Sequence, residues 1–490
     1  MFRLALLDAV VLAFFLHGSL AQLPPAVNYL GVCQRIEQEI SPASEVFYPV
    51  SALYLKDNEH WASSSAQFST CSVEPGTTED LGKILRIVGK TRTPFGVKSG
   101  GHSTNPKFSS TEGVQIALFR FSEVTYDSQT KTAVIGSGLV FDDVYAQLEP
   151  YGVSVLGGRV TGIGVGGFLL GGGYSWQTNQ YGLAIDSITA YELIKPNGEV
   201  VNVSEASDPE LFFGLKGGFN NFGIVTRFTM KTIPQGPVWG GAITYLPFQI
   251  PDVSRALLNF ASNNKDPKAC LIGTYTSVAG QPLSTVILFY NDPNPPSGTF
   301  DSFLKIPSLL KDVSQRSVVS HIKSAPSNLT TGLRGVFHTV PLVDLTPKLL
   351  DTIFEESKDV SSNFLADNGI SASYNVEPFH PTILTHGNSS SAYPPTRDKA
   401  FYPFNMYVAW LLETGDDANF EKIRQSADRI RKVAVEADPS IADAPLYPNY
   451  AIFDTPLEKM YGGNVDRLKA LRSRVDPDNV MGLTGGFKFV

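Results

Sequence analysis

Between Gly157 and Gly173 the chain reads GGRVTGIGVGGFLLGGG, nine glycines in seventeen positions. Each glycine costs about 0.5–1 kcal/mol relative to alanine in a regular element. The density therefore predicts neither helix nor strand, but backbone brought close to something. Two occupants fit: a cofactor diphosphate, met by convergent N–H groups with no side chain in the way, or the chain itself in a cluster of tight turns. Residues 162–167 also match G-x-G-x-x-G, and Asp186 lies nineteen residues past Gly167. A nicotinamide-binding turn of that kind opens a helix and places its acid at the end of a second strand. Here the motif runs into Gly171–Gly173 and Asp186 precedes the strand-like SITAYELI, which argues against a nicotinamide dehydrogenase.

A second glycine turn, PFGVKSGGHS (94–103), has a strand-like FGVK feeding Gly100 and Gly101, and can supply the other wall of the same site. It contains His102, one of seven histidines in the chain. A neutral imidazole held there can attack the activated 8α-methyl of a flavin and tether it. An ordinary hydrogen-bonded loop histidine is the alternative.

The chain's 490 residues, 42% of them hydrophobic, suffice for a large core divided into two or three lobes. A net charge of −8 without a basic run excludes a nucleic-acid-binding arm. Residues 1–21 read as a secretory signal peptide, with Arg3, an apolar stretch and HGSLA before the cleavage point. A secreted protein with no membrane anchor is expected. Of three cysteines, Cys33 and Cys71 flank a polar segment while Cys270 stands far away. A Cys33–Cys71 disulfide is predicted, stabilising by about 3–4 kcal/mol in the chain-entropy model; three buried thiols are the alternative. Asn202, Asn328 and Asn388 begin glycosylation triplets.

The order of elements reads as α+β. Residues 22–63 form an irregular lead-in. TTEDLGKILRIVGKT is a Thr-capped helix with Leu81, Ile84, Leu85 and Val88 on one face. GVQIAL, TAVIGSG and GIVTRFTM read as strands, and ITAYELI-KP-NG-EVVNV as a hairpin turning on Asn-Gly. IPQGP (233–237) marks a boundary between 64–236 and 237–440, and past it strands such as VWGGAITYLPF and STVILFYN alternate with helices. His380 and His386 have no cysteine or carboxylate at ligand spacing, so no metal site is expected. Asp142 and Asp143 read as solvated carboxylates.

Five blocks occur in order: PFGVKSGGHS, GGRVTGIGVGGFLLGGGYSWQTNQYGLAIDSI, LFFGLKGGFNNFGIVT, YPNYA and DPDNVMGLTGGF. Together they resemble the FAD-linked oxidases of the vanillyl-alcohol oxidase and p-cresol methylhydroxylase superfamily, in its berberine-bridge-enzyme-like branch of secreted fungal members. The resemblance implies a two-part PCMH-type FAD-binding domain (64–236) plus a substrate domain (237–440) with an antiparallel sheet backed by helices, and a return of 441–490 to the FAD-binding domain. It implies that Lys98, Ser99, Gly100, Gly101 and Ser103 form one diphosphate loop and Gly162, Gly164, Gly166 and Gly167 the other. His102 matches the 8α-linked histidine, Ile224 and Val225 a strand on the adenine side, and Tyr447 and Asn449 flavin-contacting positions. Tyr450 matches the catalytic base of several relatives; a packing tyrosine at the flavin edge is the alternative. Val160 stands where doubly tethered relatives have cysteine, which implies a single tether. Ile163 occupies the position that shapes oxygen access, a bulky residue that counts against fast reaction with dioxygen.

The expected chemistry is two-electron oxidation of a small molecule: a hydride goes to flavin N5, Tyr450 takes a proton with its pKa lowered by nearby charge, and dioxygen is reduced to hydrogen peroxide. The substrate is a secondary metabolite or, alternatively, an oligosaccharide, with Tyr245, Tyr275 and Tyr374 as aromatic candidates to stack on it. A monomer is expected. A non-catalytic secreted glycoprotein with the same fold is the third functional class.

Overall fold

The computed structural model describes residues 29–278, 280–325, 327–361, 368–387, 390–398 and 401–490. The expected signal peptide, Asn388 and the side chain of Asn328 lie outside the described residues. No helix among the described residues is long and apolar enough to cross a membrane.

The lead-in is more ordered than its composition suggests. Helices Leu30–Glu39 and Ala52–Asn58 flank strand β1 (Glu45–Phe47), and Ser51 caps the second helix by accepting the Tyr54 N–H. Strands β1, β2 (Cys71–Glu74), β3 (Phe95–Lys98) and β4 (Val114–Ala117) form a sheet in the order β1-β2-β4-β3, in which β2, β4 and β3 run parallel. Helix Thr78–Thr91 covers it, capped by the Thr77 side chain, with Leu81, Ile84, Leu85 and Val88 buried. The Cys33–Cys71 disulfide forms and fastens the first helix to β2, while Cys270 is free and buried.

After β5 (Val124–Asp127) and β6 (Thr132–Gly136), the two-residue β7 (Val153–Ser154) leads toward the glycine run. Strands β8 (Ile188–Ile194) and β9 (Val200–Ser204) make the predicted hairpin, with Gly198 at φ 81°. With β10 (Ile224–Lys231) they complete an antiparallel sheet in the order β5-β6-β10-β8-β9, and β11 (Ile233–Pro234) pairs back on β7. The glycine run itself holds a helix, Val165–Leu170, which the sequence reading did not expect. Burial of Val165, Leu169 and Leu170 overrides the low propensity of its glycines. No βαβ unit surrounds it, and Asp186 is occupied otherwise: its carboxylate pairs with Arg397 at 2.8 Å and accepts the Leu183 N–H.

The third sheet is antiparallel throughout, in the order β15-β12-β14-β13-β17-β18-β16. Its strands are β12 (Val238–Tyr245), β13 (Ala269–Val278), β14 (Gln281–Tyr290), β15 (Leu310–Arg316), β16 (Arg334–Leu342), β17 (Gly369–Val376) and β18 (Tyr402–Trp410). Helices Ile250–Asn263, Pro347–Ser361 and Asp416–Ala437 accompany it. Alternation along the strands decides what each face shows. Tyr245, Tyr275 and Tyr374 stand in one register row, and their hydroxyls bond Phe303 O, Ser254 of the first helix and Ser426 of the third. These tyrosines belong to the helix-backed core, not to a substrate platform. The opposite face carries a polar row across six strands: Thr244, Thr285, Thr274, Asn375, Asn405 and Thr339.

Candidate active site

The two glycine turns meet backbone to backbone. A Cβ on Gly164 would stand 2.3 Å from Gly100 N, and one on Gly100 would stand 2.6 Å from Gly164 Cα. Ser99 locks the junction, donating to Ser137 O at 2.6 Å and accepting the Gly166 N–H at 3.2 Å. Asp142 is not a solvated carboxylate: it accepts the Thr161 hydroxyl at 2.5 Å and the Gly162 N–H at 2.8 Å, pinning the second turn. Asp143 is exposed. At Gly162 and Gly167 a Cβ would meet nothing within 4 Å, so these two line open space. Lys98 turns its side chain beneath Gly101 and donates from Nζ to Lys56 O at 2.7 Å; burial pushes its pKa down to about 8.

His102 follows directly. Its ring stacks on Trp61 at 4.4 Å between centroids, and Phe337, projecting from the polar-row face of β16, lies parallel to both. The Trp61 backbone N–H donates to Gly101 O at 3.0 Å, which ties residue 61 to the turn that its side chain covers. Burial pushes the His102 pKa down to about 4, leaving the ring neutral, and its buried Nε2 has no hydrogen-bond partner among the described residues. Beyond half-buried Ser103, Thr104 Oγ1 accepts the Phe337 N–H and Asn105 donates to Ala451 O at 2.9 Å, joining the turn to β16 and the C-terminal segment.

That segment brings Tyr447, Asn449 and Tyr450 against the glycine run. Tyr447 Oη accepts from Gly173 N–H at 3.0 Å and from Asn449 Nδ2 at 2.8 Å, while Asn449 also donates to Phe168 O. Tyr450 lies in a cluster absent from the sequence reading. Arg159 donates from Nη1 to Glu377 Oε2 at 2.6 Å and from Nη2 to Tyr450 Oη at 2.7 Å, and Tyr450 Oη donates to Glu377 Oε1 at 3.4 Å. Burial and the Glu377 charge push the Tyr450 phenol well above its usual value, although Arg159 pulls the other way. The expected lowering does not occur, and Tyr450 is a neutral phenol. Glu377 is raised by burial, opposed by Arg159.

Ile224 and Val225 are buried in β10 and pair with β8, whereas the β6 register begins only at Arg227, leaving the β6-side edge at Ile224 and Val225 outside that pairing. Val160 and Ile163, within the run, are partly buried against the core. Asn202 is exposed on β9. His380 bonds Asn264 and Asn179, and no group of three His, Cys, Asp or Glu among the described residues could hold a metal.

The FAD binding domain family matches residues 69–204, and the family described as berberine and berberine like matches residues 446–484. An uncharacterized FAD-linked oxidoreductase of Arthroderma benhamiae is 31% identical over 470 residues, 91% of this chain and 92% of its own. The chain belongs to the berberine-bridge-enzyme-like FAD-linked oxidoreductases. The FAD-dependent monooxygenase drtC of Aspergillus calidoustus is 30% identical over 445 residues, 86% of this chain and 83% of that one. Two solved structures share the fold: the carbohydrate oxidase from Microdochium nivale in complex with substrate analogue (19% identity, TM-score 0.75, 94% of this chain and 100% of that one) and 6-hydroxy-D-nicotine oxidase from Arthrobacter nicotinovorans (19%, 0.74, 91% and 98%).

The residues of this berberine-bridge-like oxidoreductase fit FAD. Two glycine turns locked together, open space at Gly162 and Gly167, and an unpartnered neutral imidazole suit a diphosphate and an adjoining flavin ring. Sequence reasoning missed Trp61, Arg159 and Glu377. The polar NEHW in the lead-in offered the only local signal for Trp61.

Proposed function

We propose that this FAD-linked oxidoreductase is a secreted oxidase carrying its flavin on His102 and oxidising a hydroxyl-bearing small molecule. The observation that supports the tether most is the neutral His102 ring, stacked under Trp61 with Nε2 unpartnered. FAD supplies the two-electron acceptor that takes a hydride from the substrate and returns the electrons to dioxygen as hydrogen peroxide.

The chain's own part is to orient the substrate and remove its proton. Tyr450 Oη has one donor, Arg159, and one acceptor, Glu377, and keeps a lone pair for a substrate hydroxyl. As that hydroxyl gives its proton to Tyr450 Oη, the phenol proton passes to Glu377 Oε1. Tyr450 is thus the contact base and Glu377 the proton's destination, which removes the need for a lowered phenol pKa. The polar row extends the site. Thr274 donates to Asn375 at 2.8 Å and Asn375 to Asn405 at 2.7 Å, leaving Asn405 Nδ2 and Thr339 Oγ1 unpartnered among the described residues. Such a row suits a substrate rich in oxygen atoms. A fungal secondary metabolite and a carbohydrate are the two candidate substrate classes, the second supported by the carbohydrate oxidase that shares the fold.

The test is a visible spectrum before and after acid precipitation, with His102→Ala as control. Flavin retained on the denatured wild-type chain and lost from the variant is the expected result; flavin released from both refutes the tether. Peroxide release across a panel of alcohols and oligosaccharides then tests the oxidase reading. The relatives named as monooxygenases favour a second reading, oxygen insertion, which labelled dioxygen appearing in product instead of in peroxide would establish.

A further inference from the structure

We propose that Arg159 is a positioning residue for proton removal, its guanidinium shared between Glu377 and Tyr450 so that the buried Glu377 stays an anion able to accept the Tyr450 proton. The inference rests on the proton route proposed above and assigns a residue that route does not itself require.

The geometry is specific. Arg159 is 7% exposed and Glu377 2%, so neither charge is relieved by water. A lone buried carboxylate takes up a proton instead of remaining charged. Against Glu377 the charged groups are few: Arg159 from the glycine run, with Tyr450, Tyr447 and Tyr174 and the Cys270 thiol as the neighbouring titratable groups. Arg159 is therefore the one cation at the cluster among the described residues. Its planar fork sends different N–H groups to the carboxylate and the phenol, fixing the angle between the two acceptors as a lysine ammonium could not. The residue is held at both ends: its carbonyl accepts the Trp176 indole N–H at 2.9 Å, and its guanidinium lies 5.5 Å from the Phe379 ring centroid. The N–H on Tyr450 Oη also stabilises the phenolate character that develops as the phenol proton leaves. Because Arg159 and Glu377 neutralise each other, the cluster offers no free cation to a substrate carboxylate and suits an uncharged hydroxyl.

Infrared difference spectroscopy on the flavin-loaded protein tests this without a substrate. At mildly alkaline pH, wild type minus Glu377→Gln is expected to show ionised carboxylate bands and no protonated-acid C=O band. In the Arg159→Met background the same subtraction is expected to show the acid band. Arg159→Lys should keep the carboxylate bands but shift the phenol band that Tyr450→Phe removes. A wild-type Glu377 that already shows the acid band overturns the proposal, and this arm needs no Arg159 variant to fold. Retained carboxylate bands in Arg159→Met, or in Arg159→Gln if the first variant does not fold, overturn it too. A protein that never binds flavin defeats the oxidase reading through its colour, separately from the infrared result.

Discussion

Two glycines three positions apart should separate folding from cofactor retention. Gly164 has φ −68° and ψ 140°, a conformation alanine adopts freely, so Gly164→Ala acts only through space. Its methyl would lie 2.3 Å from Gly100 N and 2.7 Å from Gly100 Cα. Both neighbours are backbone, so the turns must part by about 1 Å, at an overpacking cost of about 1–3 kcal/mol. Gly167 sits in helix Val165–Leu170 with nothing within 4 Å of a Cβ. Gly167→Ala should therefore stabilise the flavin-free fold by up to about 1 kcal/mol through helix propensity. The same methyl would enter the space proposed for the diphosphate, so flavin content should fall although the fold is no weaker. Thermal melts of flavin-free protein together with the flavin-to-protein absorbance ratio read the two effects apart. Gly167→Ala with wild-type flavin content would refute the cradle, and Gly164→Ala with an unchanged melt would refute the backbone junction.

Replacing Cys33 and Cys71 by serine opens a link spanning 38 residues and should cost about 4 kcal/mol, measured by denaturant unfolding; a change under about 1 kcal/mol would show that the lead-in is held by packing alone. Burial pushes His60 and His338 down to about 4 and His321 to about 3, against about 6.5 in the unfolded chain. Their contribution to stability is whole above about pH 6.5 and is lost as pH falls toward 4, at about 1.4 kcal/mol per unit per group. Asp57, raised to about 6 by burial, works in the opposite sense. Melting temperature should fall across that window, and a flat profile would contradict the histidine burial. In the His102→Ala background, where no tether can form, Asp142→Ala removes the acceptor for Thr161 and Gly162 and should weaken FAD binding more than it lowers stability, as read by FAD titration beside a thermal melt; an unchanged affinity would count against it.

Much of the architecture was legible because its signals are local: the Thr77 cap, the Asn-Gly hairpin and the strand that feeds Gly100 all lie within a few residues of what they determine. What escaped depends on distance along the chain. Arg159 and Glu377 are 218 positions apart, and no spacing rule connects them. Asp142 reads as surface charge until a turn twenty residues later folds onto it. The roles of Tyr245, Tyr275 and Tyr374 turn on strand parity: moving each by one residue would turn it to the other face. The helix within the glycine run was hidden because propensity argues against it and only tertiary burial of Val165, Leu169 and Leu170 argues for it.

The C-terminal segment closes onto residues made long before it: Asn449 reaches Phe168 across 281 positions, and Ala451 holds Asn105 across 346. The glycine turns, the stacked histidine and Arg159 are thus synthesised early, whereas Glu377 and Tyr450 of the proposed proton relay emerge much later. Order of synthesis becomes order of maturation. A nascent or clipped chain can possess both glycine turns and still lack Tyr450, so the proposed centre can form only after the segment that carries Tyr450 has been made and has docked.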